Sequence, residues 1–145
     1  EELNCDATID YKNSNVAEQL GLLAPDGLDL FFDNVGGDIL DAALDNLAMG
    51  ARVVICGAIS QYADMAAVKG PALYLRLAER NASMRGFTVD YYQDQFPEME
   101  ANLAQWASEG KILMQEHIES GLERFPGALE MLFKGGHRGK LLLTP

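Results

Sequence analysis

The run Leu28-Asp29-Leu30-Phe31-Phe32-Asp33-Asn34-Val35-Gly36-Gly37 decides how the rest of this chain is read. Its first half is a short apolar run with Gly27 ahead of it and Asn34 and Gly36-Gly37 behind it, the pattern of a strand buried in a sheet. From Asp38 the residues Ile39, Leu40, Ala43, Leu44 and Leu47 share one helical face, and Gly50 is read as the end of that helix. Arg52-Val53-Val54-Ile55-Cys56, β-branched and followed at once by Gly57, reads as a second buried strand. Ahead of this unit, Ala7-Thr8-Ile9 reads as a short strand, and Ser14 or Asn13 caps a helix that runs to about Gly21. Behind it, a helix is expected from Pro71 to about Asn81 and a strand from Met84 to Val89. Strands alternating with helices predict an α/β fold: a parallel sheet with helices on both faces.

The texture changes after Val89, where Asp90-Tyr91-Tyr92-Gln93-Asp94-Gln95 is polar and aromatic and ends at Phe96-Pro97. A boundary near residues 90–96 divides the chain into segments 1–92 and 93–145. The second segment opens with an amphipathic helix carrying Met99, Leu103, Trp106 and Ala107 on one face, with Met99 and Trp106 read as core. A strand at Met114–Ile118, a helix at Pro126–Phe133 and a strand at Lys140–Leu143 complete it.

The 145 residues are 48% hydrophobic and 23% charged, which argues against intrinsic disorder. No apolar run approaches the roughly 20 residues of a membrane-spanning helix. A formal charge of −11 is a poor match to a nucleic-acid partner, which needs clustered Lys and Arg. Cys5 and Cys56 stand far apart with no Cys-x-x-Cys pair, so neither a disulfide framework nor a metal site is expected, and a cytoplasmic setting fits. The chain opens Glu1-Glu2-Leu3-Asn4-Cys5-Asp6, which reads as an entry in mid-helix and leaves open whether this is the whole protein.

In a parallel sheet, ligands bind beyond the carboxyl ends of the strands. Two loops at such ends are suited to close approach: Asp33–Gly37, and Gly57-Ala58-Ile59-Ser60-Gln61-Tyr62. Glycine lets a ring or phosphate lie against main chain, and Asn34, Ser60, Gln61 and Tyr62 add hydrogen-bonding groups. Gly36-Gly37 as a plain turn, with Asn34 as a helix cap, accounts for the first loop equally well.

Taken together, Asp33-Asn34-Val35-Gly36-Gly37, Cys56 to Tyr62, Met84-Arg85-Gly86-Phe87 and the closing Gly139-Lys140 resemble the medium-chain dehydrogenase/reductases. Within them the match is to the zinc-independent branch of prostaglandin reductases, leukotriene B4 12-hydroxydehydrogenases and alkenal double-bond reductases. The resemblance implies the second part of an NADP-binding Rossmann-type domain, then the C-terminal α+β segment of a catalytic domain. It implies hydride transfer from NADPH to the β-carbon of an α,β-unsaturated ketone or aldehyde, a small-molecule enone or enal.

Carried over residue by residue, Tyr11 lies near the adenosine end of the cofactor, with Lys12 a lone cation beside it. Asn34 contacts the cofactor, Cys56, Gly57, Ala58, Ile59, Ser60, Gln61 and Tyr62 line the nicotinamide-ribose side, and Phe87, Thr88 and Val89 border the nicotinamide. Tyr62 is the expected catalytic donor to the enolate oxygen, with Tyr74 a distant second, whereas Tyr91 and Tyr92 are expected to pack at the domain junction. His137 stands in Gly135-Gly136-His137-Arg138-Gly139-Lys140 where the family has Asn, and an imidazole can still donate one hydrogen bond there. His117 reads as a surface strand residue. The family also implies a homodimer of the full-length protein through Met84–Val89. A non-catalytic α/β ligand-binding module and a Rossmann-like methyltransferase are the alternatives.

Dinucleotide sites rest on Gly-x-Gly-x-x-Gly between a strand and a helix, and this sequence contains no such motif. The chain is therefore expected to be the C-terminal part of a longer reductase. Alone, it should bind NADPH weakly or not at all and show no enone reduction. Turnover of 2-nonenal with NADPH by the 145 residues would contradict this.

Overall fold

A computed structural model describes Leu3 and residues 5–145. The mid-helix opening read at the first residues falls largely on Glu1, Glu2 and Asn4, outside the described residues. The chain divides into two compact units, one of Cys5–Gln93 and one that includes Asp94–Pro145.

In the first unit, strands β1 (Leu28–Asp33), β2 (Leu47–Ile55) and β3 (Ser83–Gly86) form a parallel sheet in the order β1-β2-β3. Helices α1 (Val16–Leu23), α2 (Gly37–Asp45) and the single turn α3 (Arg76–Glu79) connect them. Leu40 and Leu44 of α2 are buried against Leu47, Ala51 and Val53 of β2, with Leu28, Phe31, Leu73 and Leu77 packed around them. Lateral partners in a parallel ladder share a face, so Phe31, Val53 and Met84 belong to the covered side. The opposite side carries Leu30, Arg52, Phe32 and Arg85, and there Leu30 is 64% exposed. Among the described residues the helical core of α2 packs on the Phe31 and Val53 side.

Several element boundaries differ from the sequence reading, each for a local reason. Ala7-Thr8-Ile9 is not a strand. A strand exists through its ladder, and this segment has no ladder partner among the described residues; the chain instead turns where the Asp10 carboxylate accepts from the Asn13 side chain (2.7 Å) and the Lys12 N–H (3.1 Å). Those two donors hold the Asp10 carboxyl below its ordinary pKa. Asn15, not Ser14 or Asn13, caps α1 by accepting from the N–H groups of Ala17 and Glu18, and Gly21 lies inside that helix.

Helix α2 ends at Asn46 rather than Gly50, because the Asn46 side chain donates to the carbonyls of Ala42 (2.9 Å) and Ala17 (3.3 Å). Leu47 already belongs to β2. Gly50 sits in an irregular stretch of that strand with a φ of 75°, its N–H on the Arg80 carbonyl at 2.7 Å. The helix expected from Pro71 shrinks to one turn, since the N–H groups of Arg76, Leu77 and Ala78 bond three residues back instead of four. Strand β3 stops at Gly86 after the Phe87 N–H meets the last free carbonyl of β2, on Ile55. The residues Val89–Gln95 then coil into 3₁₀ turns.

The second unit has helix α4 (Phe96–Ser108), the parallel pair β4 (Glu116–Ser120) and β5 (Lys140–Thr144), and helix α5 (Phe125–Lys134) between those strands. Gly135 ends α5 in the left-handed conformation. Gly139, also at positive φ, lets the chain pass so close to the Gln115 carbonyl that any Cβ would overlap it. Met99 and Trp106 are each 42% exposed, against their expected core role. Their helical stripe is present, but among the described residues α4 contains no buried one. His117 is half-buried on β4 with its Nε2 at 3.2 Å from Glu119. That contact and Arg124 hold the Glu119 carboxyl below its ordinary pKa. No helix among the described residues is long and apolar enough to cross a membrane.

Leu44 and Leu30 test where the core lies. Leu44→Ala should cost about 3 kcal/mol in urea unfolding, whereas Leu30→Ala should cost about 0.5 kcal/mol or less. Equal losses would contradict a one-sided core.

Candidate functional site

Asp33, Ile55 and Gly86 are lateral partners, so the three strands of the first unit end at one level and release their loops together. Asp33 organises the first two of these loops. Its side chain, 1% exposed, accepts from the N–H groups of Val35 (2.8 Å) and Gly36 (3.0 and 3.1 Å). Its carbonyl accepts from the N–H groups of Cys56 (2.8 Å) and Gly57 (3.1 Å). The pairing then continues between the loops. The Ile59 N–H bonds the Asn34 carbonyl at 3.0 Å, and the Val35 carbonyl takes both the N–H (3.1 Å) and the hydroxyl (2.6 Å) of Ser60.

This contact is close because Gly36, at a φ of 70°, has no Cβ; one built there would stand 2.8 Å from that of Ala58. On the second loop the Ala58 N–H donates to the Tyr62 hydroxyl oxygen at 3.0 Å. The phenol therefore folds back on its own loop as an acceptor while its O–H proton stays available to donate. Gly57 makes room for this, since a Cβ there would lie 2.8 Å from the phenol oxygen. The Gln61 side-chain oxygen accepts from the Lys69 N–H at 2.8 Å and closes the far side of the loop.

Two cavities flank these loops. One, of about 910 Å³, is bounded by Tyr11, the start of α1 at Asn15, the start of α2 at Gly36-Gly37, and Ser60, Gln61 and Lys69. Its wall at Ala72 and Leu73 is held by the Asp41 carboxylate, which accepts from both their N–H groups at 3.2 and 2.9 Å. The other, of about 380 Å³, is lined by Ile55, Arg85, Phe87, Thr88, Tyr91 and Tyr92. There Phe87 meets Phe32 edge-on and stacks on Tyr92, with ring centroids 5.6 Å apart in both cases, and Tyr91 meets Tyr92 edge-on at 5.2 Å.

Of the residues singled out in the sequence, Tyr11, Ser60 and Gln61 border the larger cavity and Phe87 and Thr88 the smaller. Asn34, Cys56, Ile59 and Tyr62 are exposed at the same ends of β1 and β2, and Val89 is exposed just past β3. Lys12 lies 6.0 Å from the centre of the Tyr11 ring. Tyr74 is exposed in the turn ahead of α3 and borders neither cavity. His137 belongs to the second unit, where its buried Nδ1 has no hydrogen-bond partner among the described residues. It lines an apolar cavity of about 300 Å³ with Phe125, Leu129, Leu132 and Leu141. No group of three or more His, Cys, Asp or Glu able to hold a metal occurs among the described residues.

Sequence reasoning misses two acids. Asp33 has a signal, since an Asp at a strand end before Asn-Val-Gly-Gly is placed to accept from the next N–H groups. Asp41 has none, because its partners lie about thirty residues away in the chain.

A family model described as zinc-binding dehydrogenase matches residues 3–143. YfmJ of Bacillus subtilis is 40% identical over 146 residues, covering 99% of this chain and 43% of its own. Prostaglandin reductase 1 of Mus musculus is 34% identical over 145 residues, covering 98% of this chain and 44% of its own. The solved structure of CurA from Vibrio vulnificus in complex with NADPH is similar with a TM-score of 0.84 at 38% identity, over 96% of this chain and 43% of that one. The chain spans somewhat more than two fifths of the length of the curated relatives it matches.

Gly57→Ala tests the fold-back of Tyr62. It should break the bond from the Ala58 N–H and speed hydrogen exchange at that amide about tenfold, leaving the Val53 amide unchanged. Unaltered protection of Ala58 would show that the bond does not hold the loop.

Proposed function

This chain belongs to the zinc-binding dehydrogenase family of the medium-chain dehydrogenase/reductases, with a Rossmann-type α/β fold, and from that membership we propose that it forms the C-terminal part of a longer NADPH-dependent reductase. The reaction is reduction of the carbon–carbon double bond of an α,β-unsaturated ketone or aldehyde. The observation that carries this reading is the pair of loops, Asp33–Gly37 and Cys56–Tyr62, joined edge to edge where the parallel strands end. The bound NADPH of the related CurA structure and the name of prostaglandin reductase 1 support it.

The residues present suit a dinucleotide. Gly36 and Gly57 let the two loops close on each other beside the larger cavity, which Tyr11, Ser60 and Gln61 line, and Asn34 stands exposed at the same strand ends. Asn34 and the stretch from Cys56 to Gln61 would hold the nicotinamide-ribose side, Tyr11 the adenosine end, and Phe87, Thr88 and Val89 the edge of the nicotinamide. NADPH, when bound, supplies the hydride to the substrate β-carbon.

Negative charge then grows on the carbonyl oxygen of the substrate, which needs a donor. Tyr62 fits that role because its oxygen is already fixed by the Ala58 N–H and its proton is the part left to give. With that oxygen held, the α-carbon takes a proton and the product leaves as the saturated ketone or aldehyde. In this reading the 145 residues alone are inactive, the longer protein is cytoplasmic, and it pairs with a second copy through the exposed edge strand β3 and the residues beyond it to Val89.

Tyr62→Phe in the longer reductase keeps the ring and removes the donor. It should lower kcat/KM for an enone about a hundredfold while NADPH affinity stays within about twofold. An unchanged kcat/KM would remove Tyr62 from the chemistry. Failure of the unsubstituted protein to oxidise NADPH with any enone would overturn the reading itself.

A further inference from the structure

Asp33 is the buried charged residue of the described chain, and no cation among the described residues is paired with it. Burial of an unpaired carboxylate is costly unless fixed donors replace its water. Here the donors are the N–H groups of Val35 and Gly36, which converge on one point just ahead of α2. Successive backbone N–H groups with one residue at positive φ form a concave anion site of the kind that cradles phosphate. The first turn of α2 adds the positive end of a nine-residue helix. Left empty, such a turn would attract the phosphates of a dinucleotide.

We infer that Asp33 is a built-in anion: its carboxylate fills the N–H nest ahead of α2, fixes the loop that carries Asn34, and reserves that loop for an uncharged part of the ligand while turning phosphate away. Asp38, in the first turn of α2, places a second carboxylate there, so a phosphate approaching this turn meets two negative charges. A hydroxyl or carboxamide meets no such repulsion and finds the exposed Asn34 side chain. Because the Asp33 carbonyl also holds Cys56 and Gly57, the position of both loops depends on this residue. Asp33 is thus a positioning residue that touches neither substrate nor cofactor. The assignment of the uncharged part to ribose or nicotinamide rests on the proposed function; the exclusion of phosphate does not.

Two measurements test this. In the longer reductase, Asp33→Asn keeps the shape but turns an amide N–H toward that of Gly36. The KM for NADPH should rise about tenfold, with kcat at saturating NADPH within about twofold of the parent. In the 145-residue chain, inorganic phosphate is titrated while the amide resonances of Val35 and Gly36 are followed. They should stay still in the parent and move in Asp33→Ala, or in Asp33→Asn should the alanine variant fail to fold. An unchanged KM in Asp33→Asn, or phosphate shifts of equal size in the parent chain, overturns the proposal. Should the parent reductase bind no NADPH, the functional reading falls, and the phosphate titration alone still decides the role of Asp33.

Discussion

The hydrogen bonds of Asp33 are the constraint on which the rest of the candidate site depends. A parallel sheet delivers its strand ends to one level, but the first N–H groups beyond those ends have no ladder partner and must be satisfied locally. Asp33 satisfies four of them, two through its carboxylate and two through its carbonyl. The loops after β1 and β2 are thereby fixed to the sheet and to each other. Gly36 and Gly57 are required by this closeness, since a side chain at either would strike Ala58 or Tyr62.

How much of this is legible in the amino-acid sequence depends on the range of the deciding interaction. β1 is readable as an apolar run between Gly27 and Asn34, and its packing partner α2 as the stripe Leu40, Ala43, Leu44, because both patterns are local and periodic. Gly50 misleads, since its positive φ suits a bend inside β2 as well as a helix end. Pro71 signals a helix start, yet the next two N–H groups are held by Asp41 on another helix, and the segment settles into i→i−3 bonding. Ala7–Ile9 has strand composition and, among the described residues, no ladder to join. Met99 and Trp106 have core spacing, but spacing states which face is apolar and not what covers it.

The candidate site divides along the same line. Gly36-Gly37 and the polar residues of the second loop stand out because they come directly after apolar runs. The roles of Asp33 and of the Tyr62 hydroxyl as acceptors from backbone N–H groups depend on tertiary geometry: one residue bridges two loops, and the other folds back on its own. His137 is legible only through resemblance to a family pattern, and its immediate surroundings are the apolar residues between α5 and β5. The net charge of −11 acquires a more specific meaning at this end of the sheet, where Asp33 and Asp38 place negative charge at the start of α2.

We propose that this chain helps to deliver a hydride to a carbon–carbon double bond. The most direct measurement is the fate of deuterium carried on the nicotinamide C4 of NADPH when the longer reductase turns over a conjugated enone. Hydride transfer to the double bond should place the deuterium on the β-carbon of a saturated ketone, read by NMR of the product. Deuterium on the carbonyl carbon of an allylic alcohol would contradict it.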